Sequence, residues 1–374
     1  MTPGRSQRQR RDLPRRRGSV ALALVALALT SGCAGSSAGE ADQPTTASWL
    51  PATAPYVEMS TAQSGWAVWP SRDAWLVLRT DDGWRHVRNA TPVGVPTGGG
   101  FVLATTPRAA VVAVGPYDRL LSSPLLFETA TPGRWRPDEL PGAVSSSRGA
   151  VAVASGGATA VLRSGQVVAQ ADGHWSTLTT IQRLSPRGTL TLDSLTWLDG
   201  TAGILTGGTA DAGPSAFLTL DGGRTWRSQP WSAGSVATVA PCGSGRSWLL
   251  PVLLSDHRTR FERTADGGRS WASVGSLRTT ASLPAWGCHG DTVWAVTGTS
   301  HLFASRDGGM HWIDRGPAPA ELTDLDPLGG GAGIAVSRDG DQDKLWRVDG
   351  DGAHFSEIRL PDWVRRLGAQ QSSD

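Results

Sequence analysis

The sequence predicts an all-β chain folded as a seven-bladed β-propeller, and three observations predict it. An eight-residue pattern occurs three times, its last residues 45 and 41 positions apart. Turns ending in an aromatic residue continue that period on both sides. The runs between turns are short, rich in Ala, Gly and Val, and show no helical period.

The pattern comes first. Its copies are Thr219-Leu220-Asp221-Gly222-Gly223-Arg224-Thr225-Trp226, Thr264-Ala265-Asp266-Gly267-Gly268-Arg269-Ser270-Trp271 and Ser305-Arg306-Asp307-Gly308-Gly309-Met310-His311-Trp312. Asp-Gly marks a tight turn, because Gly supplies positive φ without steric penalty. The Asp carboxylate accepts hydrogen bonds from main-chain N–H groups just ahead, and the hydroxyl two residues before it joins that network. The Trp opens the next strand and points into apolar surroundings. Burying it removes ~150–250 Å² from water, worth roughly 4–6 kcal/mol before entropy. Each copy therefore reads as a self-satisfied hairpin tip with an anchored exit strand. Repetition at this period means a propeller or another array.

The other turns follow. Trp84 ends a shortened turn directly after Gly83, Trp135 follows Pro132-Gly133-Arg134, and Trp175 follows Asp172-Gly173-His174. Phe355 closes the run. The seven aromatic ends are spaced by 51, 40, 51, 45, 41 and 43 residues. Seven blades of four strands follow; six is the alternative if the degenerate second unit is a decorated loop. Small residues suit strands crowded at a propeller axis. Residues 49–62 are expected to add a strand to the last blade, closing the ring and removing exposed edges.

The pattern Ser/Thr-x-Asp-Gly-Gly-x-Ser/Thr-Trp resembles the Asp-box of BNR-repeat β-propellers, with His311 replacing the hydroxyl in the third copy. That superfamily includes sialidases, sortilin-type receptors and photosystem II assembly-factor-like proteins. The resemblance implies that Thr219, Asp221, Gly222, Gly223, Trp226, Thr264, Asp266, Gly267, Gly268, Trp271, Ser305, Asp307, Gly308, Gly309 and Trp312 are structural. It implies a box on the hairpin between the third and fourth strands of a blade, away from the ligand site.

The N-terminus carries its own signal. Residues 1–32 hold seven Arg and one Asp; without them 28 basic residues face 32 acidic ones, so the formal charge of +2 becomes −4. The basic tract thus belongs to targeting, which removes the main support for nucleic-acid binding. The apolar run of residues 20–29 is too short for a bilayer, which needs ~20 residues, and suits a secretory signal. Leu29-Thr30-Ser31-Gly32-Cys33 resembles a bacterial lipobox, with Cys33 as the lipid-modified residue and Thr30 departing from the usual Leu. The expected organisation is a signal peptide over 1–32, a flexible tether over 33–48, the propeller over 49–363 and a polar tail over 364–374. The location implied is the extracytoplasmic face of the cell membrane, held by a lipid anchor.

Cys242 and Cys288 lie 46 residues apart, and each stands six residues before a Trp, so they read as equivalent places on successive blades. In an exported chain such thiols form a disulfide. The alternative is two buried free thiols, because equivalent positions on adjacent blades can exceed the Cα reach of about 7 Å.

Sites for chemistry are sparse. The family's sialidase members use an Arg triad, a Tyr–Glu pair and an Asp. This chain has two Tyr, Tyr56 and Tyr117, few Glu, and no Arg-Ile-Pro signature. A two-carboxylate glycosidase needs paired acids facing a cleft, and the Asp residues are mostly taken by turns. Asp339, Asp341 and Asp343 resemble a calcium loop but lack the distal Glu, and read as a solvated hairpin. No metal, cofactor, P-loop or nucleophile elbow is expected. Of 17 Trp, Trp231 and Trp286 are candidates for stacking a ligand, because both sit in Ser-, Pro- or Gly-rich stretches. The reading is a non-catalytic, monomeric scaffold binding an envelope protein or glycan. The alternative is a sialidase-like glycoside hydrolase.

Overall fold

The computed structural model describes the strand β1 (Thr45–Ser48) and most of the chain from residue 55 to residue 366. Residues 1–44 and 367–374, and several connecting loops, lie outside the described residues. The signal peptide, Cys33, Tyr117, Trp231 and Asp341 fall there.

Among the described residues the strands pair, in chain order, into seven antiparallel sheets. The first is β2 (Tyr56–Met59), β3 (Gly65–Ser71), β4 (Ala74–Thr80) and β5 (Arg88–Asn89). The second is β6 (Phe101–Thr105), β7 (Ala110–Val114), β8 (Leu125–Thr129) and β9 (Arg136–Asp138). The third is β10 (Gly149–Val153), β11 (Thr159–Arg163), β12 (Gln166–Ala171) and β13 (His174–Thr180), followed by the short helix α1 (Ile181–Leu184). The fourth is β14 (Thr191–Trp197), β15 (Gly203–Thr209), β16 (Gly213–Thr219) and β17 (Arg227–Pro230). The fifth is β18 (Ser235–Thr238) and β19 (Cys242–Ser244), both paired with β20 (Ser247–Leu254), then β21 (Arg258–Thr264) and β22 (Ala272–Arg278). The sixth is β23 (Ala285–His289), β24 (Thr292–Val296), β25 (His301–Ser305) and β26 (Ile313–Pro317). The seventh is β27 (Leu322–Gly329), β28 (Ala332–Asp339), β29 (Gln342–Asp349) and β30 (His354–Ile358), with helix α2 (Asp362–Arg366) after it. The arrangement is that of a β-propeller.

The period of two explains how the sheets meet. On β3, Trp66 and Val68 pack with Ala110 of the second sheet, while Ala67 and Trp69 pack with Ile334 and Val336 of the seventh. On β24, Trp294 and Val296 join Leu325 and Ala335 of the seventh sheet, while Val293 and Ala295 join Leu249 and Phe261 of the fifth. Successive side chains leave a strand on opposite faces, so each inner strand feeds two seams at once. Buried on both faces, these strands read as continuous apolar runs rather than alternating ones.

The ring closes differently from the sequence expectation. Residues 56–59 do not join the last sheet; β2 pairs with β3 of its own sheet. The first and seventh sheets instead share an apolar seam containing Leu76, Leu78, Trp84, Leu345, Leu360 and Val364. Two carboxylates of β27 bridge that seam. Asp324 accepts the N–H of Val57 at 2.6 Å, and Asp326 accepts that of Met59 at 2.6 Å. Residues two apart on a strand present their N–H groups to the same side, so two acids at the same spacing match them.

Two further expectations change. The tether is not free to its end: β1, residues 45–48, pairs antiparallel with β10. The tail is not polar at its start: α2 carries Val364, 1% exposed, into the closing seam.

Candidate functional site

The repeated turn folds onto its own aspartate. In the fourth sheet the Thr219 hydroxyl donates to Asp221 at 2.9 Å, and the Gly223 N–H donates to Thr219 Oγ1 at 2.8 Å. Thr225 donates its N–H and its hydroxyl to Asp221 at 2.9 and 2.7 Å. The Gly222 N–H donates to the Thr201 carbonyl on the neighbouring hairpin at 2.7 Å. Asp266 receives the same set from Thr264 and Ser270, and Asp307 from Ser305 and His311. The donors hold these carboxylates down. The Thr225 hydroxyl and then its N–H take Asp221 to about 2, and the His311 N–H takes Asp307 to about 2. Asp266 is lowered chiefly by the Ser270 hydroxyl. A carboxylate saturated with donors is a poor proton carrier at neutral pH.

The aromatic after each turn reaches back to the preceding sheet. Trp226 packs in the seam of the third and fourth sheets, Trp271 in that of the fourth and fifth, and Trp312 in that of the fifth and sixth. Trp312 lies 4.8 Å from Phe261, centroid to centroid. The turn therefore joins neighbouring sheets as well as neighbouring strands.

The first turn is not shortened. Thr80 donates to Asp82, and the His86 N–H donates to Asp82 at 2.9 Å, as residue 225 does to Asp221. The Trp84 N–H donates to Thr80 Oγ1 at 2.9 Å, as Gly223 does to Thr219. Trp84 thus occupies the second glycine position, at φ 67°, and Val87 takes the anchor position. Trp84 is 3% exposed and fills the closing seam from there. The second glycine of the fourth sheet's turn has no such room, since a Cβ on Gly223 would meet Leu178 Cδ1 at 2.5 Å, whereas one on Gly309 would come no nearer than 3.5 Å to Leu249. The seventh turn departs further. Gly350 stands where the others have Asp, and Asp351, at φ 57°, takes the first glycine position. Its buried carboxylate pairs with Arg306 and Arg315 of the sixth sheet, so an ion pair between sheets replaces the local network.

Cys242 and Cys288 form a disulfide with a Cα–Cα distance of 5.9 Å. Their places are not equivalent. Trp248 pairs with the turn residue Thr264, and Val293 pairs with its counterpart Ser305. Cys242 lies opposite Leu249, one residue past that anchor, whereas Cys288 lies opposite Val293 itself. One residue of offset turns a side chain to the other face. Cys242 therefore points toward the sixth sheet and Cys288 back toward the fifth, and they meet.

Trp286 stands in β23 rather than in a loop. It is half-buried and lies 6.4 Å from Phe261 in the seam of the fifth and sixth sheets. Tyr56 lies on β2 beside the seam of the first two sheets. Asp343 pairs with Arg338, and among the described residues no cluster of three or more His, Cys, Asp or Glu is placed to hold a metal ion.

The acids that sequence reading missed are Asp324 and Asp326. Both are half-buried on β27, at the seam with β2. Burial raises Asp324 to about 6; burial, and then the charge of Asp324, raises Asp326 to about 8. Their sequence signal was slight: an Asp-Leu-Asp followed by Pro327 and a glycine run, which reads as the approach to a loop.

No family model and no curated protein matches the chain. Solved structures are similar in fold. A structure described as YCF48 bound to D1 peptide is 15% identical at a TM-score of 0.52, covering 82% of this chain and 97% of its own. YCF48 from Cyanidioschyzon merolae is 15% identical at a TM-score of 0.53, covering 82% and 98%. The GH74 xyloglucanase from Xanthomonas campestris is 16% identical at a TM-score of 0.59; this chain, covered over 83%, spans about half of it, 54%. These likenesses establish the propeller fold.

Proposed function

We propose that the chain is a non-catalytic extracytoplasmic lipoprotein, a β-propeller scaffold that binds a protein partner at the cell envelope. In this reading each of the seven sheets is one blade, and the aspartate turns are Asp-box repeats of the BNR type. Residues 1–32 are its signal peptide and Cys33 its lipid anchor. The observation that carries the reading is the saturation of Asp221, Asp266 and Asp307 by their own turns. The acids singled out by the sequence serve architecture, and what they support is a rigid frame. Trp286 belongs to that frame by its packing against Phe261. A protein partner is favoured over a glycan because YCF48, a neighbour of nearly the same extent, binds a peptide.

The competing reading is a glycoside hydrolase, sialidase-like in its turns; the fold likeness to a xyloglucanase keeps a hydrolase in view. Two measurements separate them. The tagged chain, expressed with its own signal, is cross-linked in its native envelope, and the partner found is purified and tested for direct binding. In parallel, the protein is assayed with fluorogenic sialosides and glucosides. Saturable direct binding without turnover supports the scaffold, and turnover well above background overturns it.

A further inference from the structure

The strand β1 is not needed to complete any sheet. The third sheet already has four strands, β10 to β13, and β1 adds a fifth along the open edge of β10. The register runs Thr45↔Val153, Thr46↔Ala152, Ala47↔Val151 and Ser48↔Ala150. The same segment runs alongside β6 and β14, the first strands of the two neighbouring sheets. Among the described residues the first strands of the other sheets carry no strand brought in from outside their own repeat unit. The occupant comes from the segment preceding the propeller, about a hundred residues upstream of its partner strand.

Pairing along a strand edge uses main-chain N–H and C=O groups and tolerates many sequences; side-chain room sets the selection. The occupant reads Thr-Thr-Ala-Ser and the receiving strand Gly-Ala-Val-Ala-Val, small and uncharged on both sides. Leaving this edge would break no blade, because the third sheet keeps its own four strands.

We propose that the inner edge of β10 is a docking site for an extended, uncharged, small-residue segment of a partner protein, and that Thr45–Ser48 is its intramolecular occupant, which the partner displaces. This rests on the scaffold reading and supplies the partner's chemistry. A short tether holds the occupant at an effective concentration in the millimolar range. The edge is therefore guarded against chance strands and opens only to a competing one.

The test uses the full chain and a fluorescein-labelled peptide with the sequence of residues 42–51. The double variant Thr46→Pro/Ala47→Pro removes whichever of two successive N–H groups faces β10 and breaks the middle of the short strand. Anisotropy should show the peptide binding this variant about tenfold or more tighter than the parent, since self-occupancy lowers apparent affinity by the free fraction. Hydrogen exchange at the β10 amides should rise in the variant and return toward the parent rate when peptide is added. A peptide carrying the same two prolines should do neither. A variant with the parent's melting temperature that binds no peptide, or that exchanges its β10 amides as the parent does, overturns the proposal. So does a variant that cannot fold, because a displaceable strand is not required for the fold. Either negative result leaves the scaffold reading to its own cross-linking experiment.

Discussion

The carboxylate of Asp326 on β27 accepts the main-chain N–H of Met59 on β2 at 2.6 Å, across 267 residues of sequence. With Asp324 and Val57 it forms a clasp between the first and last sheets. Side chains stand where a shared strand was expected, and they are titratable.

The clasp should make ring closure pH-dependent. Asp326 is raised from 3.8 to about 8 in the fold. A raised acid holds its proton longer in the folded than in the unfolded chain, so its contribution is fully present below the unfolded value and is lost as pH rises toward about 8. Asp326→Asn keeps a carbonyl acceptor for Met59 and cannot ionise. Its melting temperature should match the parent below about pH 4 and exceed it by a margin that grows up to about pH 8, as read by circular dichroism. A difference that stays flat with pH would remove the clasp from the account. The turn aspartates act in the opposite sense: held near 2, Asp82, Asp221 and Asp307 give up their contribution as pH falls below about 4.

The two glycines of the fourth sheet's turn should not be equally sensitive. Gly222 has φ 70° with open space around its missing Cβ, whereas Gly223 has φ 85° with Leu178 Cδ1 2.5 Å from that position. Gly222→Ala should cost about 1 kcal/mol for left-handed backbone alone. Gly223→Ala adds a steric clash and should cost about 2–4 kcal/mol. Urea denaturation of the two variants checks the order, and equal costs would show that the seam yields freely at Leu178.

Restoring the double glycine in the first turn should harm the protein. Trp84→Gly relieves a residue at φ 67° but empties a side chain that is 3% exposed. The backbone gain is about 1 kcal/mol, and the loss of a buried Trp is about 3–5 kcal/mol. A net destabilisation of about 2–4 kcal/mol is expected in the same denaturation assay. An unchanged midpoint would mean that the closing seam contributes little.

Cys242→Ala/Cys288→Ala should lower stability by about 2–4 kcal/mol, from the loop of 46 residues that the bridge closes. Peptide binding at β10 should survive, because the bridge joins the fifth and sixth sheets, away from that edge. Loss of binding at retained fold would instead tie the two regions together.

Asp266→Ala removes the acceptor for Thr264 and Ser270. It should lower the melting temperature and leave partner affinity unchanged. Binding lost at an unchanged melting temperature would make the turn itself part of the recognition surface.

Much of the architecture was legible in the sequence because its determinants are local. The turn closes between residues two and four apart, so Thr219, Asp221, Gly223 and Thr225 announce it by spacing alone. The aromatic ends and small-residue runs repeat that unit often enough to declare a propeller. The disulfide followed from cysteine count and context, though for a reason the spacing misread. What tertiary structure alone decided lies where strands far apart in the chain come together. The pairing of β2 with β3, the clasp of Asp324 and Asp326, the register offset that lets Cys242 face Cys288, and the strand that Thr45–Ser48 adds to β10 all depend on which edge meets which across the ring. A period of two gives each residue a face but not the neighbour that face will meet. Trp84 shows the same limit within a turn: its sequence looked truncated, and the closing seam gives a tryptophan room at the position where Leu178 crowds Gly223.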